Sequence, residues 1–307
     1  MKTTSSSQKR IAVRRLLEGD GVVVSPGAYD CIGAKLIEQA GFDAVYIGGF
    51  AATATLIGMP DLGLITLTEL TNHIRNINQA TSLPIIADCE SGFGNAINVM
   101  RAVREYERAG VSALHIEDQM VPKKYLPDRK PQVFPSGEQI RKIEAAVSAK
   151  EDKNLIIIGR TDALGRYGLE EAINRANRYH EAGCDMVFVH GITKPQDIQT
   201  VGERISAPMV FNYTSLFEAG VEHFPRISEL KKLGFRIILF PGDLLFSAAK
   251  KMKEVLALMK ERGDPEYWKE DMMSVNEFRN LLDMDRYEEL EGRYLPAIMP
   301  NNLVVSL

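Results

Sequence analysis

Cysteine is sparse in this chain. Cys31, Cys89 and Cys184 are the only three, set far apart and without a C-x-x-C spacing. That argues against a disulfide framework and a sulfur-bound zinc site, and it fits a reducing, cytoplasmic setting. No apolar run approaches the ~18 residues that a membrane span requires. Nor is there a basic stripe or an acidic block. Lys and Arg are scattered, and the formal net charge is only −4, so neither nucleic acid nor membrane is an expected partner. The first residues, Met1 to Arg15, are Ser/Thr-rich and basic but lack an apolar h-region. They predict a disordered lead-in over 1–15 rather than a signal peptide.

What the chain does have is a supply of apolar residues, 45% of its 307. These are arranged as short β-rich runs alternating with helical stretches at nearly even spacing. Val22–Ser25 precedes a helix around Asp30–Ala40, and Ala44–Ile47 precedes Thr68–Ala80. Pro84–Ala87 leads into Asn95–Ala109. Ala113–Ile116 is followed by a polar segment over Gln119–Pro135 and then by the helix Ser136–Ala149. Leu155–Gly159, Met186–Val189, Pro208–Phe211 and Arg236–Phe240 precede Leu169–Ala182, Lys194–Arg204, Ile227–Leu233 and Asp243–Arg262. Before several strands the chain repeats one phrase: Gln39-Ala40-Gly41-Phe42, Arg108-Ala109-Gly110-Val111, Glu181-Ala182-Gly183-Cys184, Lys232-Leu233-Gly234-Phe235. Each looks like a helix end with a glycine cap feeding an apolar strand. Eight such units with near-continuous apolar strands predict an α/β fold, a (β/α)₈ barrel over residues 16–262. A doubly wound sheet would carry phosphate-binding glycines after its first strand, and this chain does not. Asp264-Pro265 breaks the last barrel helix. Beyond it, 263–307 reads as a helical extension, with Ser274–Leu290 amphipathic and no strand to cover.

One stretch concentrates chemistry: Ile85-Ile86-Ala87-Asp88-Cys89-Glu90-Ser91-Gly92-Phe93-Gly94-Asn95. A short apolar run breaks into two carboxylates, then a Gly-x-Gly turn, then a helix. In a parallel α/β protein that strand end is where ligands bind. Two carboxylates so close repel each other, which points to a nearby cation such as Mg²⁺. The alternative is that one caps the helix and the other is solvated. Other strand ends are polar as well. Asp61 follows the second strand, Glu117 and Asp118 the fourth, and Arg160 and Asp162 the fifth. His190 ends the sixth and Asn212 the seventh. Four acidic residues (Asp61, Asp88, Glu90 and Glu117) facing an arginine describe a hard cation holding an anionic substrate, with Arg160 gripping a carboxylate or phosphonate. Singly, each has a plainer account: Asp61 as a turn residue before Gly63, Arg160 as an ion-pair partner of Glu117.

Several phrases occur together and in order: Tyr29-Asp30 with Ala34-Lys35, Gly58-Met59-Pro60-Asp61-Leu62-Gly63, Asp88 to Asn95, His115-Ile116-Glu117-Asp118-Gln119 and Gly159-Arg160-Thr161-Asp162-Ala163. On these the chain resembles the isocitrate lyase/phosphoenolpyruvate mutase superfamily. The resemblance implies a (β/α)₈ barrel with Mg²⁺ (or Mn²⁺) at Asp61, Asp88, Glu90 and Glu117. It implies a small 2-oxo or 2-hydroxy acid as substrate, turned over through a metal-stabilised enolate. It also implies a homotetramer whose C-terminal helices are exchanged between subunits. Residues expected to meet the substrate are Tyr46, Gly48, Gly49, Asp61, Arg160 and Asn212, with Lys123, Tyr125, Arg160 and His190 as candidate catalytic groups. Gly48-Gly49 occupies the turn whose backbone N–H groups can meet a carboxylate, although the family's serine is Gly48 here.

Departures from the family pattern bear on the reaction. Lyases acting on isocitrate or methylisocitrate carry Lys-Arg/Lys-Cys-Gly-His after strand four, where this chain has Lys123-Lys124-Tyr125-Leu126-Pro127. The proton-donating cysteine has become Tyr125, a weak phenolic acid or a plain lid residue. A family carboxylate at strand six has become His190, and the Asn-Ser pair of the phosphonate mutases is missing, although the overall phrasing resembles the carboxyphosphonoenolpyruvate mutase branch. Loss of the acid matters little for decarboxylation, where carbon dioxide leaves. Oxaloacetate-type decarboxylation is therefore the first expectation. The alternatives are a C–C lyase on a methylisocitrate- or dimethylmalate-like acid, a P–C phosphonomutase, and a barrel that binds small acids without turnover.

Overall fold

The computed structural model describes residues 4–19, 21–123, 130–213 and 225–295. Eight parallel strands, β1 (Val23–Pro26), β2 (Val45–Ile47), β3 (Ile85–Asp88), β4 (Ala113–Glu117), β5 (Ile156–Thr161), β6 (Met186–Val189), β7 (Met209–Asn212) and β8 (Phe235–Phe240), pair in sequence, with β8 returning to β1. The circle closes between β1 and β2 through a parallel bridge, Gly27 to Tyr46, where the Ala28 N–H donates to the Tyr46 carbonyl at 2.9 Å. This is the expected (β/α)₈ barrel. The glycines of the repeated helix-end phrase, Gly41, Gly110, Gly183 and Gly234, all take φ between +81° and +99°, the left-handed conformation that ends a helix and turns the chain into a strand.

Each strand alternates its side chains between two cores. Inward residues such as Tyr46, Ile86, Ile158, Phe188 and Leu239 fill the barrel. Outward ones such as Ile47, Ile85, Leu114 and Ile157 pack against the surrounding helices. Those helices begin with side-chain caps that satisfy their first N–H groups. Asp30 caps α2 (Cys31–Gln39) through Gly33, and Thr66–Glu69 and Asn95–Asn98 form capping boxes on α4 (Leu67–Ala80) and α5 (Ala96–Ala109). Between β2 and α4 lies an apolar helix that the sequence pattern did not single out, α3 (Gly49–Ile57).

The amino-terminal segment corrects one expectation. Residues 6–18 are not a disordered lead-in but helix α1 (Ser6–Glu18), started by a Ser5–Gln8 capping box. Its Val13 is buried within the barrel's interior core. Lys9 donates to the Thr81 carbonyl at 2.7 Å and the Asn78 carbonyl at 2.9 Å, and Arg10 donates to the Val111 carbonyl at 2.8 Å. The Thr81 and Val111 carbonyls lie just before β3 and β4 and that of Asn78 in the last turn of α4, so α1 caps the barrel floor. Its buried contacts are largely charge-to-carbonyl, which an apolar pattern does not reveal.

The described residues fall into two compact units that divide between Ala248 and Ala249, inside α10 (Asp243–Arg262). In the second unit the expected single helix over 274–290 is two, α11 (Val275–Leu281) and α12 (Met284–Tyr294), separated at Asp283 where φ is +58°. No helix among the described residues is long and apolar enough to cross a membrane.

Candidate active site

The carboxyl end of the barrel opens into a cavity of about 600 Å³ whose wall includes Tyr46, Gly48, Gly49, Phe50, Asp61, Asp88, Lys123, Arg160, Asp162, His190, Asn212 and Phe246. All the predicted site residues outside the undescribed segments converge here. Tyr125 lies outside the described residues. Glu90 and Glu117 are not in the wall but buried against it, held by cations.

Local structure aims the acidic pair. Asp88 ends β3, and its Oδ1 accepts the Glu90 N–H at 2.8 Å, while the Glu90 carbonyl accepts the Glu117 N–H at 2.9 Å. This holds Glu90 in the left-handed region at φ +50°, uncommon for a non-glycine residue. Gly92 completes the turn at φ +83°, where a Cβ would lie 2.3 Å from Val99 Cγ2. From outside the barrel, buried Lys142 donates to the Ser91 carbonyl at 3.2 Å with its ammonium 3.8 Å from the Phe134 ring centroid. The acidic turn is thus fixed on both sides.

Two cations knit the carboxylates together. Lys123 Nζ lies 3.0 Å from both oxygens of Asp61, 2.9 Å from Glu90 Oε2 and 3.3 Å from Glu117 Oε1. Arg160 reaches Glu117 Oε2 at 3.2 Å and Asp88 Oδ2 at 3.7 Å, and grips Asp162 with two bonds of 2.9 Å. Five carboxylates (Asp61, Asp88, Glu90, Glu117, Asp162) thus face two cations. The excess negative charge acts on protonation. Burial, then Asp88, pushes Glu90 up to about 7, and burial pushes Glu117 well above the usual carboxylate range. Burial works against ionised Asp162 too, but Arg160 outweighs it and holds the group down at about 2. Burial also opposes the charge on Lys123, and the surrounding carboxylates, Glu117 first, overcome it and push the ammonium well above its ordinary value.

Sequence reasoning missed two participants. His115 is fully buried, with Nε2 3.0 Å from the Tyr46 hydroxyl and Nδ1 3.5 Å from Asp88. Burial pushes it down to about 4, so it is neutral at physiological pH. The signal was present, because His115 and Glu117 are two apart on one strand and so share its inward face. Asp162 was placed at a strand end but not in the site. It sits 3.4 Å from His190 Nδ1 as well as against Arg160. One expectation changes in detail. The Gly49 N–H points at Asp88 Oδ2, 3.3 Å away, rather than standing free for a substrate carboxylate.

The donor set suits a hard divalent ion. Carboxylate oxygens are the ligands such ions take, and Mg²⁺ commonly uses only one or two of them with water completing its shell. The oxygens of Glu90 and Glu117 accept no hydrogen bond of good geometry among the described residues, and Gly49 leaves space that a Cβ, 2.0 Å from Glu90 Oε1, would fill. As they stand, no three acidic, His or Cys groups among the described residues are gathered for metal ligation; the Lys123 ammonium lies among the carboxylates instead. Thiols are absent from the described wall, Cys89 and Cys184 being buried elsewhere and Cys31 partly exposed on α2.

The chain resembles known proteins along most of its length. The family profile described as phosphoenolpyruvate phosphomutase matches residues 13–260. 2,3-Dimethylmalate lyase of Eubacterium barkeri is 35% identical over 284 residues, covering 92% of this chain and 96% of that protein. Among solved structures, a phosphonopyruvate hydrolase in complex with oxalate and Mg²⁺ superposes with a TM-score of 0.85 at 29% identity, covering 94% of this chain and 99% of the other. An oxaloacetate acetylhydrolase in complex with its product oxalate superposes with a TM-score of 0.82 at 28% identity, covering 95% and 99%.

Proposed function

The chain belongs to the phosphoenolpyruvate phosphomutase family, and from that premise we propose that it is a Mg²⁺-dependent lyase of small 2-oxo acids, decarboxylating an oxaloacetate-type substrate. The observation that carries this is the pairing, across one cavity, of Arg160 with a carboxylate cluster, in a described wall that contains no thiol acid. Asp61, Asp88, Glu90 and Glu117 are the residues that would hold Mg²⁺. When bound there it supplies Lewis-acid stabilisation for charge collecting on the 2-oxo oxygen.

The chain's own groups do the rest. Arg160, fixed by Asp162, offers its remaining N–H to a substrate carboxylate and orients the bond to be broken. Tyr46 and Asn212 line the wall beside it, and the Asn212 Oδ1 has no hydrogen-bond partner among the described residues. The carboxylate that departs as carbon dioxide needs no proton at the moment of cleavage, so the absence of a thiol is no handicap. His190, whose pKa burial and Arg160 push down, is neutral and accessible from the cavity, and it can relay a proton from water to the product carbon afterwards, taking up one proton as it gives one.

A second reading has a specific observation behind it. Phe50 and Phe246 stack at 5.9 Å in the cavity wall, an apolar surface suited to alkyl groups such as those in the name of the dimethylmalate lyase relative. C–C cleavage of an alkyl-substituted 2-hydroxy diacid would use it, with Tyr125 or His190 as the acid. We also propose a cytoplasmic homotetramer with exchanged C-terminal helices. Support comes from the free thiols and from exposed apolar residues of the second unit, among them Leu256, Val275, Phe278 and Tyr287. Light scattering in solution reads the assembly.

The deciding experiment follows pyruvate formation from oxaloacetate with Mg²⁺, above the metal-only background and beside an Asp88→Ala control. Turnover lost in the control supports decarboxylation. No turnover of oxaloacetate, with cleavage of dimethylmalate or methylisocitrate instead, moves the assignment to the second reading. Turnover only of phosphonopyruvate makes it a P–C enzyme, and turnover of none leaves a binding barrel.

A further inference from the structure

Lys123 is the most constrained side chain at the cavity. Its ammonium, about nine-tenths buried, touches three carboxylates that come from the segments following β2 and β3 and from the end of β4, at 2.9–3.3 Å. Among the described residues it is the only cation in contact with Asp61 or Glu90. Arg160 serves the other side of the cluster, at Asp88, Glu117 and Asp162. The Glu90 and Glu117 oxygens, buried and without well-formed hydrogen bonds, have little besides these ion pairs to compensate them. An uncompensated buried carboxylate is costly. While ionised, the cluster therefore needs a cation.

The same oxygens are those proposed above to hold the divalent ion, and this inference rests on that reading. An ammonium and a divalent ion cannot both contact them, since at separations of ~4 Å in a poorly solvated site their repulsion is large. Lys123 has somewhere to go, because it already lines the open cavity. Its backbone follows a segment anchored across a bridge between Gln119 and Val133, with the Met120 N–H donating to the Gln132 carbonyl at 2.9 Å. The anchor keeps the lysine beside the cluster when its side chain swings away.

We propose that Lys123 is a built-in counter-ion of the metal-free site, and that its ammonium and a divalent cation occupy the Asp61–Glu90–Glu117 cluster in alternation. Metal binding expels Lys123 into the cavity. The exchange lowers intrinsic metal affinity, keeps the metal-free barrel from being split by its own carboxylates, and delivers a second positive charge toward the substrate only when the metal is in place.

The test uses the full chain and Mn²⁺ alone, with binding read by electron paramagnetic resonance and stability by thermal melting. Lys123→Gln removes the competing charge at similar length. It is expected to bind Mn²⁺ at least tenfold more tightly than the unaltered protein, to melt lower without metal, and to recover most of that loss when saturated. Lys123→Arg keeps the charge and is expected to show no gain in affinity. A Gln variant that binds no more tightly than the unaltered protein overturns the alternation while leaving the metal site intact. Absence of Mn²⁺ binding by the unaltered protein overturns both this inference and the metal-dependent reading. Should the Gln variant not fold, the unaltered protein still decides. Labelling of Lys123 by an amine-reactive reagent, followed by mass spectrometry, is expected to accelerate at least tenfold on adding Mn²⁺, and an unchanged rate overturns the proposal.

Discussion

Arg160 and Asp162, two residues apart at the end of β5, face each other as a planar pair: Nε to Oδ2 and Nη2 to Oδ1, each 2.9 Å. A guanidinium gripped this way cannot rotate, so its remaining N–H donors keep a fixed direction toward the cavity. Arg160→Lys keeps the charge but loses the fork. We expect kcat/KM on the enzyme's acid substrate to fall about 100-fold. Asp162→Asn keeps one hydrogen bond and frees the other, and a loss of about tenfold, carried mainly by KM, is expected. Steady-state kinetics separate the two, and equal losses would mean that Asp162 does more than orient Arg160.

Gly49 is the first residue of α3, where alanine would ordinarily be favoured in a helix. Here a Cβ would stand 2.0 Å from Glu90 Oε1 and 3.2 Å from Asp88 Oδ2. The obstruction is one side-chain tip in an otherwise regular helix, so Gly49→Ala is expected to fold and to displace the Glu90 carboxylate. Divalent-ion affinity should drop at least tenfold with a melting temperature within a few degrees of the unaltered protein. Titration calorimetry with Mg²⁺ provides the check. Undiminished affinity would place Glu90 outside the metal's reach.

The clamp on Arg160 is itself held from outside the barrel. Asp118 accepts hydrogen bonds from Thr161 Oγ1 at 2.7 Å, the Asp162 N–H at 2.8 Å, Tyr179 at 2.7 Å and Arg175 at 3.1 Å. Burial pushes Asp118 upward, and these donors keep it paired. Arg175→Met removes the charged donor and leaves the buried carboxylate undercompensated. A loss of about 3 kcal/mol, read from chemical denaturation, is expected. Loss of stability without any change in KM would show that Asp118 serves the fold and not the direction of Arg160.

The barrel was legible because its signals are local and repeated. Short apolar strands alternating with helical stretches, four of them entered through the Gly41, Gly110, Gly183 and Gly234 phrases, specify eight units without reference to tertiary contacts. The carboxylate cluster was legible for a related reason: strand ends of a parallel barrel converge, so Asp61, Asp88, Glu90, Glu117 and Arg160 could be placed together from position alone. Features that depend on long-range pairing were not. Helix α1 is buried through Lys9 and Arg10, residues whose charge argues for solvent until the carbonyls of Thr81 and Val111 are seen beside them. The contact of Lys123 with three carboxylates likewise depends on the path of a polar segment with no periodicity. His115 was hidden by its neighbours, since a histidine inside an apolar strand reads as core until Tyr46 and Asp88 are found on either side.

Glu90 links proton and metal. In the metal-free protein, burial and Asp88 hold its carboxyl at about 7, well above the ordinary value of ~4.3. A carboxyl raised in the folded state contributes stability that is fully present below the unfolded value and is lost as pH rises through about 7. A divalent ion requires the ionised form, so its binding must release a proton, about half of one from Glu90 at pH 7. Glu90 is therefore expected to make apparent Mn²⁺ affinity rise by up to about tenfold per pH unit between pH 5.5 and 7, with any further rise above pH 8 belonging to Glu117. The stabilisation that metal gives to the melting temperature should widen over the same interval. Calorimetry in two buffers of different ionisation enthalpy counts the proton directly. In Glu90→Gln, which has no proton to lose there, the release should fall, leaving only what Glu117 contributes. Release unchanged in that variant would assign the titrating group to Glu117, whose carboxyl burial also raises.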